Sequence, residues 1–568
     1  LANKWINREN IRGNKTSKPL IAFDKTNNTN TIVRARADNF DNLLTILRIL
    51  NENINLNQIA FLFPSLNSDY PKKLQSHFEK NGIEVLNKKS GQFFYRDEIR
   101  LVMYIILNVF SVKPKQAKGA SKDKFVKKQQ TEFKTYLIDI FDDENFKKDS
   151  SLNSFIEEMK SKKEDNFSYS KLIFKSFKLK AFQEILGQKL ESLEEIRSQS
   201  NLATFTKLVS SYENLYLEDD INFDKNSVDF IYFYIFYLFK KKAINELDDF
   251  DSPKNVLNFM TIHQAKGLEF EVVFVSGLND WPRGENKKFL EAYQRYETNF
   301  ESKLRDFYRK YFTAFTRAKN LCVLLDNSRD KRLVSFQKDL YSSSILSSID
   351  FKRKEPVKEK QILAFTTDIS IYESCPLKYK FLRKLKISSP LTKNLVFGTR
   401  VHEICEYISS IRKNGQSLEI LNDFIKYNPS YNTVIENYLS RDFKVEASEA
   451  NYKTDRNFYI LQGNIDLILE DGSIVDIKTG KVNDKLLEKY RQQIITYYNL
   501  LLLNYRDVFH IYLYFVEEDK LLEFEKDKFD LEKIDTISKN IIDEDFYHKT
   551  SDIKECKFCP MKYFCHRD

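Results

Sequence analysis

Two short segments put carboxylates where they can act together. Asp466 lies in residues 463–469, and Asp476 and Lys478 lie in residues 473–478, with Glu470, Asp471 and Gly472 between them. Two β-like runs joined by a three-residue loop, with Gly472 left-handed, form a hairpin. In that register residue 469 faces residue 473, and Asp466 faces Asp476. Directly opposed Cβ atoms are only about 5 Å apart. Two carboxylates that close repel unless a cation sits between them. A hard divalent ion such as Mg2+ (or Mn2+), which prefers oxygen ligands, suits the pair. Side chains alternate along a strand, so Lys478 shares the face of Asp476. Its ammonium can then orient a water or offset charge developing on a phosphate. His402, in a segment that reads as helix, can complete the shell of the ion. The chemistry these residues suit is metal-assisted hydrolysis of a phosphate ester.

A second set is made of sulfur. Cys375 stands alone, and Cys556, Cys559 and Cys565 follow as C-x2-C-x5-C. Soft thiolates suit zinc or an iron–sulfur cluster. No second C-x2-C and no His pair completes a zinc finger. His566 adjoins Cys565 and is a poor fourth ligand, so Cys375 supplies the fourth thiolate. Cys322 and Cys405 read as core residues.

The chain has 568 residues, enough for several domains. Hydrophobic residues make up 42% and charged residues 30%, a balance that fits soluble packed domains. The formal charge of +9 permits nucleic-acid binding, but a Lys-rich, Asn-rich composition explains it equally well. The most apolar run, residues 230–239, is too short to span a membrane and reads as a buried helix. No signal peptide opens the chain. Six cysteines in a chain this long do not make a disulfide scaffold, so a reducing, cytoplasmic setting is expected, with no membrane partner. The first residue is Leu1, which suggests a fragment of a longer protein.

The elements that must position these groups follow from periodicity. Residues 58–63 read as a strand, 71–81 as a helix closed by Gly82, and 83–86 as a strand, the order of a parallel α/β sheet. Helical periodicity and dense aromatics dominate 101–250. Within it, the Lys-rich stretch 113–128 reads as an exposed loop. Strand patterns resume at 256–260 and 272–275, so the helices form an insertion. A charged stretch near 350–360 reads as a linker.

Several segments resemble known families. Thr261 to Phe270 reads T-I-H-Q-A-K-G-L-E-F, and Tyr311 to Lys319 ends in T-R-A-K. The pair resembles motifs V and VI of UvrD/Rep-type superfamily 1 helicases, and residues 91–99 resemble another segment of that motor. The resemblance implies that Arg317 reaches the ATP γ-phosphate and Glu269 contacts the nucleotide sugar. It also implies that Thr261 and His263 couple nucleotide state to a bound single strand. An arginine fork is suited to phosphate charge. His402 in G-x-x-x-H, Asp466 in G-x-x-D, Asp476 and Lys478 in D-x-K, and Gln493 with Tyr497 in Q-x-x-x-Y resemble the RecB-type branch of the PD-(D/E)XK nucleases. Residues 370–379 resemble the helix opening such domains. By that resemblance His402, Asp466 and Asp476 bind metal, Lys478 is catalytic, and Gln493 and Tyr497 line the same site. The cysteine spread resembles AddB-type nucleases, which implies a structural 4Fe–4S cluster, with zinc as the alternative.

The expected fold class is α/β: a RecA-like helicase domain with a helical insertion, then a restriction-endonuclease-like nuclease domain. The expected domains are 1–100 with 251–330 (the motor's second RecA-like domain), 101–250 (the inserted 2B-like subdomain), 331–362 (linker) and 363–568 (nuclease). No G-x-x-x-x-G-K-[ST] occurs, so ATP would bind only in a complete motor. A missing N-terminal helicase domain or a partner subunit would supply the rest. The expected substrates are double- and single-stranded DNA, unwound and then cut, in the manner of double-strand-break repair. A non-catalytic DNA-binding scaffold and a standalone iron–sulfur nuclease are the alternatives.

Overall fold

The computed structural model describes residues 32–87, 91–114, 124–162, 167–215, 226–241, 244, 246–247, 255–278, 299–326, 341–342, 360–390, 393–482, 484–527 and 531–566. The chain divides into two compact units. One comprises 1–97, 188–201 and 238–357; the other comprises 98–187, 202–237 and 358–568.

The first unit is built on a parallel sheet. Its strands are β1 (Ile32–Arg36), β2 (Ile59–Phe63), β3 (Val85–Asn87), β4 (Leu257–Thr261), β5 (Phe270–Val275), β6 (Ala318–Asp326) and β7 (Tyr341–Ser342), in the order β3-β4-β2-β5-β6-β1-β7. Every residue of β2 is buried, as expected of a strand covered on both faces. Helices Phe40–Asn51 and Asp69–Lys80 pack Leu43, Leu47, Leu74 and Phe78 against Phe61, Phe63 and Phe259. Helix Asn299–Phe315 packs Tyr308, Tyr311 and Ala314 against Leu62, Val273 and Leu324 on the other face. Asn39 caps the first of these helices by accepting from Asn42 N, and Gly82 leaves the second at φ +80°.

In the second unit helices Lys124–Phe141, Ser150–Ser161, Tyr169–Ser176 and Lys180–Gly187 belong to the insertion. Tyr169 stacks on Phe230 at 4.3 Å, with Tyr212 against the same ring. The sheet of this unit contains β8 (Gln361–Ala364), β9 (Val445–Asp455), β10 (Tyr459–Leu469), β11 (Ile474–Lys478), β12 (Ile511–Phe515) and β13 (Lys520–Phe524). The order is β13-β12-β11-β10-β8, with β9 on β10. Helix Lys393–Lys413 covers one face, with Val401, Cys405 and Ile408 against Leu467, Val475 and Ile477. Helix Asp484–Leu503 covers the other, with Ile494 and Leu501 against Ile465, Ile474 and Leu513.

Three expectations change. The insertion is helical, but 98–187 and 202–237 group with 358–568 rather than with the parallel sheet. Gln183 Nε2 donates to Phe564 O at 2.8 Å, Lys380 Nζ to Leu186 O at 2.8 Å, and Ser388 N to Thr206 Oγ1 at 3.1 Å. The stretch 331–362 contains β7, which extends the sheet beside β1. The 230–239 run is amphipathic rather than buried: Phe233 is 77% exposed while Phe230, Ile231 and Phe239 are buried. In the Lys-rich stretch, residues 115–123 lie outside the described residues, and a helix is already formed from Lys124. The charged stretch near 350–360 also lies outside them, except for Lys360.

Candidate functional site

The β10–β11 hairpin has the expected register. Leu467 pairs with Val475 and Ile468 with Ile474, and Leu469 N donates to Ser473 O at 2.8 Å. Gly472 takes φ +83°, which glycine adopts at little cost. The ladder stops at Leu467. There the Asp466 carboxylate takes over and accepts from Ile477 N at 2.7 Å.

Two linked groups result. Lys478 Nζ lies 2.5 Å from Asp476 Oδ2 and donates to Gln493 Oε1 at 3.0 Å. Gln493 Nε2 donates to Asp476 Oδ1 at 3.0 Å and to the Tyr497 hydroxyl oxygen at 3.0 Å. Gln493 and Tyr497 sit one turn apart on helix Asp484–Leu503 and so share a face. Gly463 explains how closely this helix approaches: a Cβ there would lie 2.8 Å from Leu500 Cδ2 and 3.1 Å from the Tyr497 ring. On the other side, His402 Nδ1 is 3.5 Å from Asp466 Oδ2. Ligand atoms of His402, Glu449 and Asp466 all lie within 4.8 Å of one another. Asp476 is outside that trio and is held by Lys478 and Gln493.

The electrostatics match a cation site. Burial, then the Asp476 charge, push the Asp466 pKa well above the carboxylate range, against the pull of Lys478 and the Ile477 N–H. Burial lowers the His402 pKa, leaving the imidazole neutral and able to coordinate. Burial opposes the Lys478 ammonium, but Asp476 and Asp466 outweigh it and raise its pKa. Lys478 therefore stays cationic. A neutral imidazole beside buried carboxylates is a donor set that a hard divalent ion fits.

Glu449 was not singled out in the sequence. It lies on β9, where the pairs Ile465–Ala450 and Leu467–Ser448 place it opposite Asp466. The turn that joins β9 to β10, closed by Arg456 N donating to Tyr459 O, sets this register. Recognising that turn would have found Glu449. Its φ of +46° would not have been legible.

The four cysteines line one pocket with Leu377, Phe381 and Met561. Leu377 N donates to His548 O at 3.0 Å and Tyr372 hydroxyl to Asp545 O at 2.6 Å, tying the start and the end of the stretch 358–568 together. Burial raises the Cys559 thiol pKa and pushes Cys565 up to about 11, while the Met561 N–H lowers that of Cys559. Four converging sulfurs in an apolar pocket fit a soft metal or a cluster. Cys322 and Cys405 are buried core residues.

In the first unit, β5 and β6 lie side by side with Phe270 paired to Ala318, so Glu269 and Arg317 each stand just before a paired residue. Arg317 Nη1 donates to Leu268 O at 2.8 Å, Nε to Thr313 O at 3.2 Å and Nη2 to Thr316 Oγ1 at 3.0 Å. Glu269 is exposed, 3.9 Å from Lys319. Thr261 ends β4, and Gln264 Oε1 accepts from both its N and its Oγ1, fixing the loop that carries His263.

Residues 2–328 match the UvrD-like helicase C-terminal domain, more than half of the chain. The chain belongs to that family. Residues 366–566 match the PD-(D/E)XK nuclease superfamily, so the C-terminal part is a nuclease-superfamily domain. A probable DNA helicase of Mycoplasma pneumoniae is 32% identical over 134 residues, 21% of each chain. A probable DNA helicase II homolog of Mycoplasma genitalium is 36% identical over 74 residues, 13% of this chain and 10% of its own. ATP-dependent DNA helicase PcrA of Leuconostoc citreum is 29% identical over 99 residues, 17% of this chain and 12% of its own. The chain thus spans about a fifth or less of the length of these relatives. The two family matches sit on a chain of mixed α/β fold. No helix among the described residues is long and apolar enough to cross a membrane.

Proposed function

We propose that this chain is the C-terminal part of an ATP-dependent DNA helicase–nuclease, which cuts a strand as the motor delivers it, in double-strand-break processing. The observation that carries the reading is the pairing of two groups at one sheet end: Asp476–Lys478–Gln493–Tyr497 beside His402–Asp466. His402, Asp466 and Asp476 would hold Mg2+ or Mn2+. A divalent cation bound there polarises the phosphodiester and makes water a better nucleophile. Lys478, kept cationic by its carboxylates, offsets charge on the phosphate rather than accepting a proton. Gln493 accepts from Lys478 and donates to Asp476, so it fixes both, and Tyr497 anchors Gln493.

Cys375, Cys556, Cys559 and Cys565 would hold a 4Fe–4S cluster with a structural role, closing a loop of about 180 residues between Cys375 and Cys556. In the complete motor Arg317 would meet the ATP γ-phosphate, supported by its anchors: a hydroxyl and backbone carbonyls leave its charge uncompensated by any carboxylate hydrogen bond among the described residues. Glu269 would meet the sugar, and Thr261 and His263 the single strand. A missing motor domain or a partner subunit completes the ATP site.

The test is cleavage of single-stranded DNA with Mg2+ by anaerobically purified chain. Activity is expected in the unaltered chain and its loss in Asp476→Ala. No cleavage by either, with the metal-bound cysteines intact, would overturn the reading and favour a DNA-binding scaffold.

A further inference from the structure

The motif residues do not account for every donor at the nuclease site. Glu449 comes from β9, a strand that no motif includes. Three neighbouring strands place Glu449, Asp466 and Asp476 at facing positions across the sheet. The backbone at Glu449 is left-handed, at φ +46°, which is uncommon for a residue with a Cβ. This turns the carboxylate toward the end of the sheet that His402 approaches from helix Lys393–Lys413. Asn464 Nδ2 donates to Glu449 Oε2 at 3.1 Å, and Asn451 Nδ2 donates to Asn464 Oδ1 at 2.8 Å. The orientation of Glu449 is therefore set by a chain of amides. Glu449, His402 and Glu406 line the groove that opens at this point.

Asp476 flanks the same place. Asp476 is 1% exposed, and its Oδ2, although in ion-pair contact with Lys478, has no aligned hydrogen bond. Lys478 already offsets this carboxylate as its ion-pair partner, so Asp466 and Glu449 are the carboxylates left for a bound cation.

We infer that Glu449 is a ligand of the divalent cation, completing with His402 and Asp466 a four-residue set in which Asp476 closes the shell from the Lys478 side. This rests on the reading of the site as a metal-dependent nuclease. The imidazole nitrogen and three carboxylates make a hard, anionic set, suited to Mg2+ or Mn2+ and poorly suited to a soft ion. It also explains why Asp466 tolerates burial between two other carboxylates: the dication offsets two of the three negative charges and Lys478 the third.

The test is Mn2+ binding to the full chain without DNA, by calorimetry and by the Mn2+ paramagnetic resonance signal. The unaltered chain is compared with Glu449→Gln, Glu449→Asp, Asp466→Asn and Glu446→Gln. Glu446 lies on the same strand but pairs with Arg506, so it serves as the charge-matched control. Substituting even an outer-sphere partner costs about 10- to 100-fold in metal affinity, so loss of a direct ligand is expected to weaken binding at least about tenfold. The expected result is one Mn2+ site in the unaltered chain and in Glu446→Gln, weakened at least about tenfold in Glu449→Gln. Unaltered affinity in Glu449→Gln with loss in Asp466→Asn would overturn the role of Glu449 and leave the nuclease reading standing. No Mn2+ bound by the unaltered chain would overturn both. Should Glu449→Gln not fold, Glu449→Asp decides: weakened binding supports the assignment, and wild-type affinity overturns it.

Discussion

Gln493→Glu changes one atom of the site and reverses its logic. The orientation of the native amide is dictated by its neighbours: Lys478 can only donate to Oε1, and Asp476 can only accept from Nε2. A carboxylate keeps the bond from Lys478 but puts an oxygen 3.0 Å from Asp476 Oδ1, where the donor stood. Two like charges at that distance repel by about 5 kcal/mol at an effective dielectric of 20. Lys478, also 3.0 Å from this side chain, attracts the new charge about as strongly and offsets most of this. A lost hydrogen bond to a charged group adds about 1.5–3 kcal/mol. A net loss of about 2–3 kcal/mol at the site corresponds to about 30- to 150-fold in the cleavage step. The sign with pH follows. The introduced carboxyl has its pKa raised above its unfolded value by Asp476. The penalty is complete above the folded pKa and fades as pH falls below it, because the protonated form can again donate to Asp476. The assay is single-turnover cleavage of single-stranded DNA from about pH 5.5 to 8, as the ratio of variant to unaltered chain; the ordinary Glu pKa is about 4.3. The expected ratio is far below one at pH 8 and climbs toward acid. A ratio near one at every pH would refute the role of Gln493 as the donor that fixes Asp476.

Other substitutions test separate parts of the account. Gly463→Ala drives a methyl into Leu500 and the Tyr497 ring. Thermal unfolding should show a loss of about 1–3 kcal/mol, with weakened cleavage because Tyr497 anchors Gln493. Cys565→Ser should release bound iron (or zinc) on metal analysis and lower the unfolding midpoint. Closing so long a loop is worth about 5 kcal/mol in the chain-entropy description. Asp535→Asn removes the partner of Arg456 at 2.7 Å and of the Tyr459 hydroxyl at 2.7 Å. Burial raises the Asp535 pKa, but these two bonds outweigh it and hold it low. Its contribution, about 1–2 kcal/mol, is therefore present above the ordinary carboxylate pKa of about 4 and is lost as pH falls through the folded value. Urea unfolding at pH 7 and at pH 3 should show a smaller deficit of the variant at the second than at the first.

Local pattern carried much of the architecture. Continuous apolar runs such as 59–63 and 272–275 belong to a parallel sheet covered on both faces, and they lie there. The three-residue loop ending at Gly472 dictated the β10–β11 register, and helical spacing put Gln493 with Tyr497. What stayed hidden depends on distant contacts or on unusual backbone. Glu449 reaches the site through a left-handed residue that side-chain type does not signal. The grouping of 98–187 with 358–568 rests on bonds such as Lys380 to Leu186, between residues far apart in sequence. The exposure of Phe233 reflects which face of an apolar helix meets a neighbour, which an unbroken run of aromatics conceals. β7 is two residues long, below what periodicity can register.

The central claim is that His402, Asp466, Asp476 and Lys478 form a metal-dependent site that cleaves DNA. The most direct measurement is product formation from end-labelled single-stranded DNA by the anaerobically purified chain, with Mg2+, with Mn2+ and with a chelator, alongside Lys478→Ala. Cleavage that requires the metal and falls by about two orders of magnitude or more in Lys478→Ala, as for loss of a charge-stabilising donor, is the expected result. Cleavage that persists in chelator, or that is unchanged without Lys478, would contradict it.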